Sequence, residues 1–171
     1  LNSTRLLENQ FREQFTPFML DGTSSLTPTQ FEITLVIGAL RYQYGFSFDD
    51  MRICGEWLLV YESSKAQRWF EYHYNPETGE NDWQPLSVHF KGEKKGQREL
   101  WKANTGIRSL FLTQASQSNS LQLQPLFNWF ANDLIVVPAQ APFNLMPTLQ
   151  RLNEPHYKDW VLRLMNAADI H

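Results

Sequence analysis

Cysteine is almost missing from this chain, since Cys54 is the single one among 171 residues. One cysteine excludes an internal disulfide framework and any zinc site built from cysteines alone. We expect a cytoplasmic protein, because a lone thiol and no recognisable signal peptide fit that compartment. Long apolar runs are also missing. The densest, Leu134 to Pro138, falls far short of the ~20 residues that cross a bilayer, so no membrane segment is predicted.

A strong charge of either sign is the second absence. Fifteen basic residues stand against 18 acidic ones, and the formal net charge is −3. A module dedicated to nucleic acid usually has a basic stripe, so this balance argues against one without settling whether nucleic acid is bound. The densest basic segment runs from Lys91 to Arg98. We interpret it as a solvated loop, with a phosphate or partner contact as the alternative.

A complete catalytic or cofactor motif is the third absence. A phosphate loop needs the pattern GxxxxGK[ST], whose glycines let backbone N–H groups surround the phosphates while the lysine neutralises them. The nearest segment, Gly92 to Gly96, lacks both the spacing and the hydroxyl residue. The GxGxxG pattern of dinucleotide sites and the GxSxG pattern of serine hydrolases do not occur either. Any enzymatic activity is therefore expected to depend on sequence that this chain lacks.

Aromatic residues, in contrast, are abundant. The chain has 6 Trp, 6 Tyr and 12 Phe, and 42% of its residues are apolar. Disordered chains are poor in aromatic residues, so this composition predicts a folded protein. A chain of this length fits one soluble domain, or one domain carrying a small appendage, and is expected to bury roughly 70% of its unfolded surface.

Hydrophobic periodicity divides the chain into three parts. Residues 1–16 are predicted to form an N-terminal helix, because their apolar residues recur at helical spacing. Residues 17–95 predict an antiparallel β-subdomain, and residues 96–171 a helical subdomain with one short strand. The predicted fold class is α+β: an antiparallel β-meander of about five strands followed by a helical region.

The strands are predicted from period-two alternation of apolar and polar residues. Between the first two, Gly38 and Ala39 predict a type II′ hairpin, which requires glycine at its first turn position. One face of the sheet is expected to be wet, because many alternate positions are polar. The predicted strands are Phe31–Ile37, Leu40–Phe48, Arg52–Glu62, Gln67–Tyr74 and Trp83–Phe90.

Helical spacing returns after Gly96. The short apolar strand is Leu134 to Val137, ended by Pro138 and followed by an irregular stretch to Pro147. The predicted helices are Gln97–Asn104, Ser109–Gln117, Leu123–Asn132 and His156–Ala168, the last with Tyr157, Trp160, Val161 and Leu164 facing inward.

Several chemically capable side chains have structural interpretations. Cys54 lies inside an aromatic-rich strand and is expected to be a buried, inert thiol. His73 and His89 are predicted to form a structural pair across adjacent strands, rather than a metal site. The aromatic stripe Tyr42, Tyr44, Phe46 and Phe48 is predicted to be the buried face of the sheet, with base stacking as the alternative. The carboxylates Glu56, Glu62 and Glu71 also fall on predicted strands, and nothing in the sequence fixes their separation.

A nuclease-like pattern is the remaining motif. Asp82, Glu93 and Lys95 match the loose D…ExK form that holds a metal ion and polarises water. Such spacing arises easily by chance, and Glu93 and Lys95 fall in a glycine-flanked turn rather than on a rigid strand. A metal-dependent nuclease is therefore kept as an alternative only.

One series of segments extends over most of the chain, from about Phe15 to the C-terminus. The segments are Pro17–Asp21, Pro28–Ile33, Arg41–Phe48, Ile53–Leu58, Arg68–Glu71, Leu110–Thr113 with Asn119, Asn128–Phe130 and Leu164–Ile170. In their order and rough spacing they resemble the bacterial AAA15/AAA21-type ATPases, which are related to the ABC/SMC and OLD-type ATPases. No single segment is specific, and the resemblance lies in the series.

The resemblance implies the middle of such an ATPase, with the phosphate loop upstream and the signature and acidic metal motifs downstream. It implies ATP and Mg²⁺ as cofactors of the full-length protein, a homodimer of ATPase heads, a protein effector partner and a role in phage defence or abortive infection. No catalytic, cofactor-binding or metal residue can be transferred to this chain, which is expected to be inactive alone. A free-standing protein-interaction domain is the alternative.

Overall fold

The computed structural model describes residues 20, 22–92, 94–135 and 146–168 of the chain. The chain divides into two compact units, the first ending at residue 134 and the second beginning at residue 135. The helix predicted over residues 1–16 lies outside the described residues.

Five antiparallel strands form the sheet of the first unit. Strands that follow one another along the chain are also neighbours in the sheet, in the order β1-β2-β3-β4-β5. Together with the helices that follow, this meander confirms the predicted α+β fold. The strands are β1 (Thr29–Ile37), β2 (Leu40–Phe48), β3 (Ile53–Tyr61), β4 (Gln67–Asn75) and β5 (Glu80–Trp83).

The turn between β1 and β2 has the predicted geometry. Ile37 pairs with Leu40, so only Gly38 and Ala39 form the loop. Gly38 has a φ of +61°, whereas the φ of Ala39 is not positive. A positive φ at the first loop position alone is the mark of a type II′ turn, which glycine adopts without steric cost.

The fifth strand spans Glu80–Trp83 and shares only Trp83 with its predicted span of Trp83–Phe90, so that prediction is wrong. Strand β5 ends at Trp83. Pro85 follows closely and has no N–H to donate, so it cannot extend a ladder of hydrogen bonds. Beyond the strand, two backbone hydrogen bonds still reach β4: the N–H of Gln84 donates to the carbonyl of Glu71 at 2.9 Å, and that of Ser87 donates to the carbonyl of Trp69 at 3.1 Å.

The two faces of the sheet differ as predicted. On the inner face, Tyr42 and Tyr44 of β2 are each only 2% exposed. Phe46 and Phe48 are half-buried and pack against the same core. The aromatic stripe is therefore the buried face of the sheet, while polar side chains dominate the partly exposed outer face.

Three helices of the first unit supply the rest of this core, and all three were predicted within a few residues of their ends. They are α1 (Gln97–Ala103), α2 (Phe111–Gln117) and α3 (Gln124–Asn132). Full burial of each large apolar side chain contributes about 1.5–3 kcal/mol to stability. The buried residues of the helices and their connections include Trp101, Phe111, Leu112, Ala115, Leu123 and Leu126.

The described part of the second unit contains α4 (Met146–Arg151) and α5 (Pro155–Ala167). Helix α5 confirms the last predicted helix, but the inward orientation predicted for Trp160 and Leu164 is wrong. Trp160 is 52% and Leu164 56% exposed, whereas Tyr157 and Val161 are half-buried, and no residue along α5 is buried. Helical spacing identifies an apolar stripe but does not specify what packs against it.

The short strand predicted over residues 134–137 is described only in its first half. Leu134 and Ile135 belong to no strand, and residues 136–137 lie outside the described residues. Helix α4 begins at Met146, inside the stretch that was expected to be irregular. Among the helices that the structure describes, none has the length and apolar character needed to cross a membrane.

Candidate functional site

A single carboxylate is enclosed where the sheet meets the helices. Glu56 lies on the inner face of β3, between Phe46 of β2 and Tyr72 of β4 in the register of the sheet. Its exposed fraction is 0%, and among the described residues it is the one charged side chain that is buried. Burying a carboxylate is costly unless hydrogen bonds satisfy it, so its partners decide whether it can remain there.

The partners of Glu56 come from both sides of the interface. From the sheet, the hydroxyl of Tyr44 donates to Oε1 at 3.0 Å, and Tyr72 also hydrogen-bonds to the carboxylate. From α2, the backbone N–H of Phe111 donates to Oε2 at 2.5 Å and that of Leu112 to Oε1 at 2.9 Å. Every one of these neighbours is a donor, which is the arrangement that an ionised carboxylate requires.

Glu56 takes the place of an N-cap residue for α2. The residue before the helix, Leu110, is extended and has no side-chain oxygen that could cap. The first N–H groups of a helix have no partner within it and need one from elsewhere. Here the cap comes from a strand 55 residues earlier in the chain, and it fastens α2 to the middle of the sheet.

Burial dominates the electrostatics of this cluster. Desolvation raises the pKa of Glu56 to about 7, against the lowering effect of the hydrogen bonds from Leu112, Phe111, Tyr44 and Tyr72. Burial, followed by the nearby charge of Glu56, also raises the pKa of Tyr44 and Tyr72. With its side chain fully enclosed, Glu56 positions α2 and cannot reach a substrate.

A second ordered set of contacts crosses the outer face of the sheet. The hydroxyl of Tyr61 donates to Oε1 of Gln43 at 2.9 Å, and Nε2 of Gln43 donates to Oε1 of Glu32 at 2.9 Å. The other oxygen of Glu32 accepts a bond of 2.8 Å from the indole of Trp57. A Cβ at Gly45 would lie 2.3 Å from Cζ2 of Trp57, so the indole rests directly on the backbone of β2.

The predicted histidine pair does not form. His73 on β4 is opposite Asp82 of β5, and its Nε2 lies 3.0 Å from Oε1 of Glu71. His89 falls after the end of β5 and so belongs to no strand beside β4. The prediction was wrong because it rested on a fifth strand that continued to Phe90.

Of the nuclease-like trio, only two members can be located. Asp82 lies on β5, where its carboxylate accepts a bond of 2.9 Å from Asn75. Lys95 borders a surface depression whose lining does not include Asp82. Glu93 lies outside the described residues. Among the described residues, no three His, Cys, Asp or Glu side chains are grouped so that they could hold a metal ion.

The remaining candidate residues, Cys54 and the strand carboxylates, are not arranged as an active site. Burial, reinforced by a hydrogen bond to Asp49 and by its charge, raises the pKa of the half-buried Cys54 to about 12, as an inert thiol requires. Glu56 and Glu71 lie on opposite faces of the sheet, and Glu62 follows the end of β3. These three carboxylates therefore form no pair around a common substrate.

Sequence reasoning missed the role of Glu56, although one signal was present. The alternation of β3 places Glu56 in phase with Leu58 and Val60, which are both 0% exposed. A charged residue on the apolar side of a strand needs buried partners, and these partners are distant in sequence.

No family model, curated protein or solved structure matches the chain.

Proposed function

We propose that this chain is the antiparallel β-subdomain and part of the helical arm of an ABC/SMC-like AAA ATPase. In this proposal, ATP binding and hydrolysis belong to a longer protein whose nucleotide motifs lie outside the chain. ATP and Mg²⁺ are its cofactors, and a homodimer of ATPase heads is its active assembly. The chain itself carries no catalytic residue. Its role in this proposal is to position the helical arm and to transmit closure of the ATPase heads.

One observation supports this proposal above the others: separate pieces of the family resemblance contact one another around Glu56. Glu56 belongs to the piece Ile53–Leu58, and its helical partners Phe111 and Leu112 belong to the piece Leu110–Thr113. Tyr44, which donates to Glu56, comes from the piece Arg41–Phe48. The ring of Tyr44 also contacts the ring of Phe130, from the piece Asn128–Phe130, with centroids 5.4 Å apart. These pieces of the resemblance therefore share one interface between the sheet and the helices.

The geometry also suits the role of such a subdomain. In ABC-type heads, an antiparallel sheet stands beside the nucleotide core, and a helical arm transmits closure to partners. Transmission requires the sheet and its first helices to move as one body. The enclosed bonds from Glu56 to α2 supply that rigidity, because breaking them would leave several buried polar groups without partners.

The decisive experiment compares this chain with a version extended in both directions along its gene. We expect Mg²⁺-dependent ATP hydrolysis by the extended protein and none by the 171-residue chain. In the extended protein, Glu56→Gln should lower kcat more than it changes KM, because it weakens transmission rather than nucleotide contact. If the extended protein does not hydrolyse ATP, the proposal is wrong.

Protein interaction by a free-standing domain is the second candidate function, and the outer face favours it. Trp57, Tyr61 and Arg41 lie on this partly exposed surface, with the guanidinium of Arg41 3.9 Å from the ring centre of Tyr61. Trp, Tyr and Arg are the residue types enriched at protein interfaces. Loss of partner binding in Arg41→Ala, with no ATP hydrolysis by the extended protein, would favour this candidate over the first.

A further inference from the structure

Half of the chain's lysines lie in one short loop. The chain has six lysines, and three of them are Lys91, Lys94 and Lys95. These three border an open surface depression of about 530 Å³, together with Arg98 and Glu99 from α1. Ligand pockets typically measure about 300–1,000 Å³, so the depression can hold more than a single small ion.

The loop is anchored to the core at its first end. Phe90, immediately before Lys91, is fully buried, and its ring stacks on Trp69 with centroids 5.8 Å apart. Nη1 of Arg98 donates to the carbonyl of Ser87 at 2.8 Å and to that of Phe90 at 2.5 Å. The guanidinium therefore closes the turn that leads into the lysines.

A glutamine from the helical region clamps the same turn. Oε1 of Gln122 accepts the backbone N–H of Lys91 at 2.6 Å, and its Nε2 donates to the carbonyl of His89 at 2.9 Å. The loop is thus bound on both sides of Phe90 by a side chain more than thirty residues away. Such non-local bonds hold the backbone of Lys91 in one position.

The second end of the loop is held against α1. Oε1 of Gln97 accepts the N–H of Lys94 at 2.9 Å. A Cβ at Gly92 would lie 3.3 Å from Cγ of Arg98, so the chain approaches the helix more closely than most side chains allow. Gly96 has a φ of +79°, a conformation that favours glycine. The described backbone on either side of residue 93 is therefore held against α1.

Positive charge exceeds negative charge around the depression. Among the described residues, no carboxylate forms an ion pair with Lys91, Lys94 or Lys95. The carboxylate in the lining, Glu99, is paired with Lys102 at 3.0 Å. Glu93 adds one negative charge to the segment by sequence, which leaves the positive charges in excess.

We propose that this depression binds a small anion that carries several phosphoryl groups. Nη1 of Arg98 already donates to two backbone carbonyl oxygens, so Arg98 holds the turn and adds its positive charge to the lining of the depression. The other cations among the described lining residues are lysine ammonium groups, which bind phosphate as point charges. Three of them close together suit an anion with several charges.

The same observations favour a small anion over a nucleic acid. A nucleic-acid backbone needs cations along an extended stripe, and a net charge of −3 is not typical of a module dedicated to nucleic acid. Here three lysines are clustered around one depression. The proposal concerns binding only and does not depend on the ATPase proposal.

The test uses inorganic tripolyphosphate as the probe and the 171-residue chain as the protein. Calorimetry should give saturable binding roughly tenfold tighter than that of orthophosphate. Amide resonances of Gly92 and Gly96 should shift with the same dissociation constant, which locates the site. The double variant Lys94→Gln/Lys95→Gln should weaken binding by roughly tenfold and leave the urea midpoint unchanged, because both side chains are exposed.

The matched control is Lys65→Gln/Lys158→Gln, which removes the same charge elsewhere and should leave the affinity within about twofold. The proposal is overturned if both double variants weaken binding equally, since the effect is then one of net charge. It is also overturned if orthophosphate binds as tightly as tripolyphosphate. Binding of a single-stranded oligonucleotide without binding of tripolyphosphate would instead assign the loop to nucleic acid.

Discussion

The carboxylate of Glu56 accepts a hydrogen bond of 2.9 Å from the backbone N–H of Leu112, a residue 56 positions further along the chain. The bond joins the middle of the sheet to the first turn of α2. Both residues are buried, so water cannot replace either partner when the other is changed. The stability of the first unit should therefore be sensitive to the chemistry of this one side chain.

Glu56→Gln tests the cap while keeping the shape of the side chain. The amide replaces one acceptor oxygen with an NH₂ donor, so the N–H of Phe111 or of Leu112 would face another donor. An unsatisfied buried group costs about 1–3 kcal/mol, and we expect the free energy of unfolding in urea to fall by that amount. Glu62→Gln is the control: this exposed carboxylate should change stability by about 0.5 kcal/mol or less. Equal stability of both variants would mean that the cap does not contribute to the free energy of unfolding.

The pH dependence of stability should also reveal Glu56. Burial raises the pKa of Glu56 in the folded protein to about 7, from an ordinary value of 4.5. Between these two values the folded state holds the proton more tightly than the unfolded state does. The contribution of Glu56 is therefore fully present below pH 4.5 and is lost as the pH rises through about 7.

Urea unfolding of the wild type and of Glu56→Gln between pH 5 and pH 8 measures this effect. The variant keeps every other titratable group, so the difference between the two profiles isolates Glu56. We expect the wild type to lose stability relative to the variant as the pH rises. Parallel profiles would show that Glu56 does not titrate in this range.

The strands were predictable because their signal is local. Period-two alternation lies within each segment. Gly38 indicated the turn between β1 and β2, because the first position of that turn needs a positive φ, which glycine adopts readily. The end of β5 was misjudged, although Pro85 was visible in the sequence, because the alternation of apolar residues was followed past it.

The candidate sites were less predictable because they depend on packing. The cap from Glu56 to α2 joins residues 55 and 56 positions apart, and no local pattern specifies which helix meets which strand. The hydrogen bond between Gln122 and the backbone of Lys91 likewise joins residues far apart in the sequence, 31 positions from one another. The exposure of Trp160 was missed for a related reason, because helical spacing identifies an apolar stripe but not what covers it.

Gly45→Ala should destabilise the sheet through Trp57. The added methyl group would lie 2.3 Å from the indole, which must leave β2 and give up its bond to Glu32. Overpacking of this kind costs about 1–3 kcal/mol. Urea unfolding measures the loss, and Gly22→Ala is the control, because a Cβ there meets nothing within 4 Å.

A double-mutant cycle assigns the cause. In the background of Trp57→Ala, the added methyl group at Gly45 has no indole to displace, so its cost should fall to less than half. A cost that persists in this background would place the strain in the backbone of β2 instead.

The single thiol offers the last test, because its chemistry can be followed without interference from other cysteines. Burial, with the hydrogen bond to Asp49 and its charge, raises the pKa of Cys54 to about 12, so almost none of it is thiolate at pH 8. Since the thiolate is the reactive form, the native protein should react with a disulfide reagent about a hundredfold more slowly than the urea-unfolded protein. Asp49→Asn removes the negative charge beside the sulfur and should accelerate the native reaction, whereas Asp133→Asn, far from Cys54 in sequence and exposed, should not. Equal rates for native and unfolded protein would show that neither burial nor Asp49 protects the thiol.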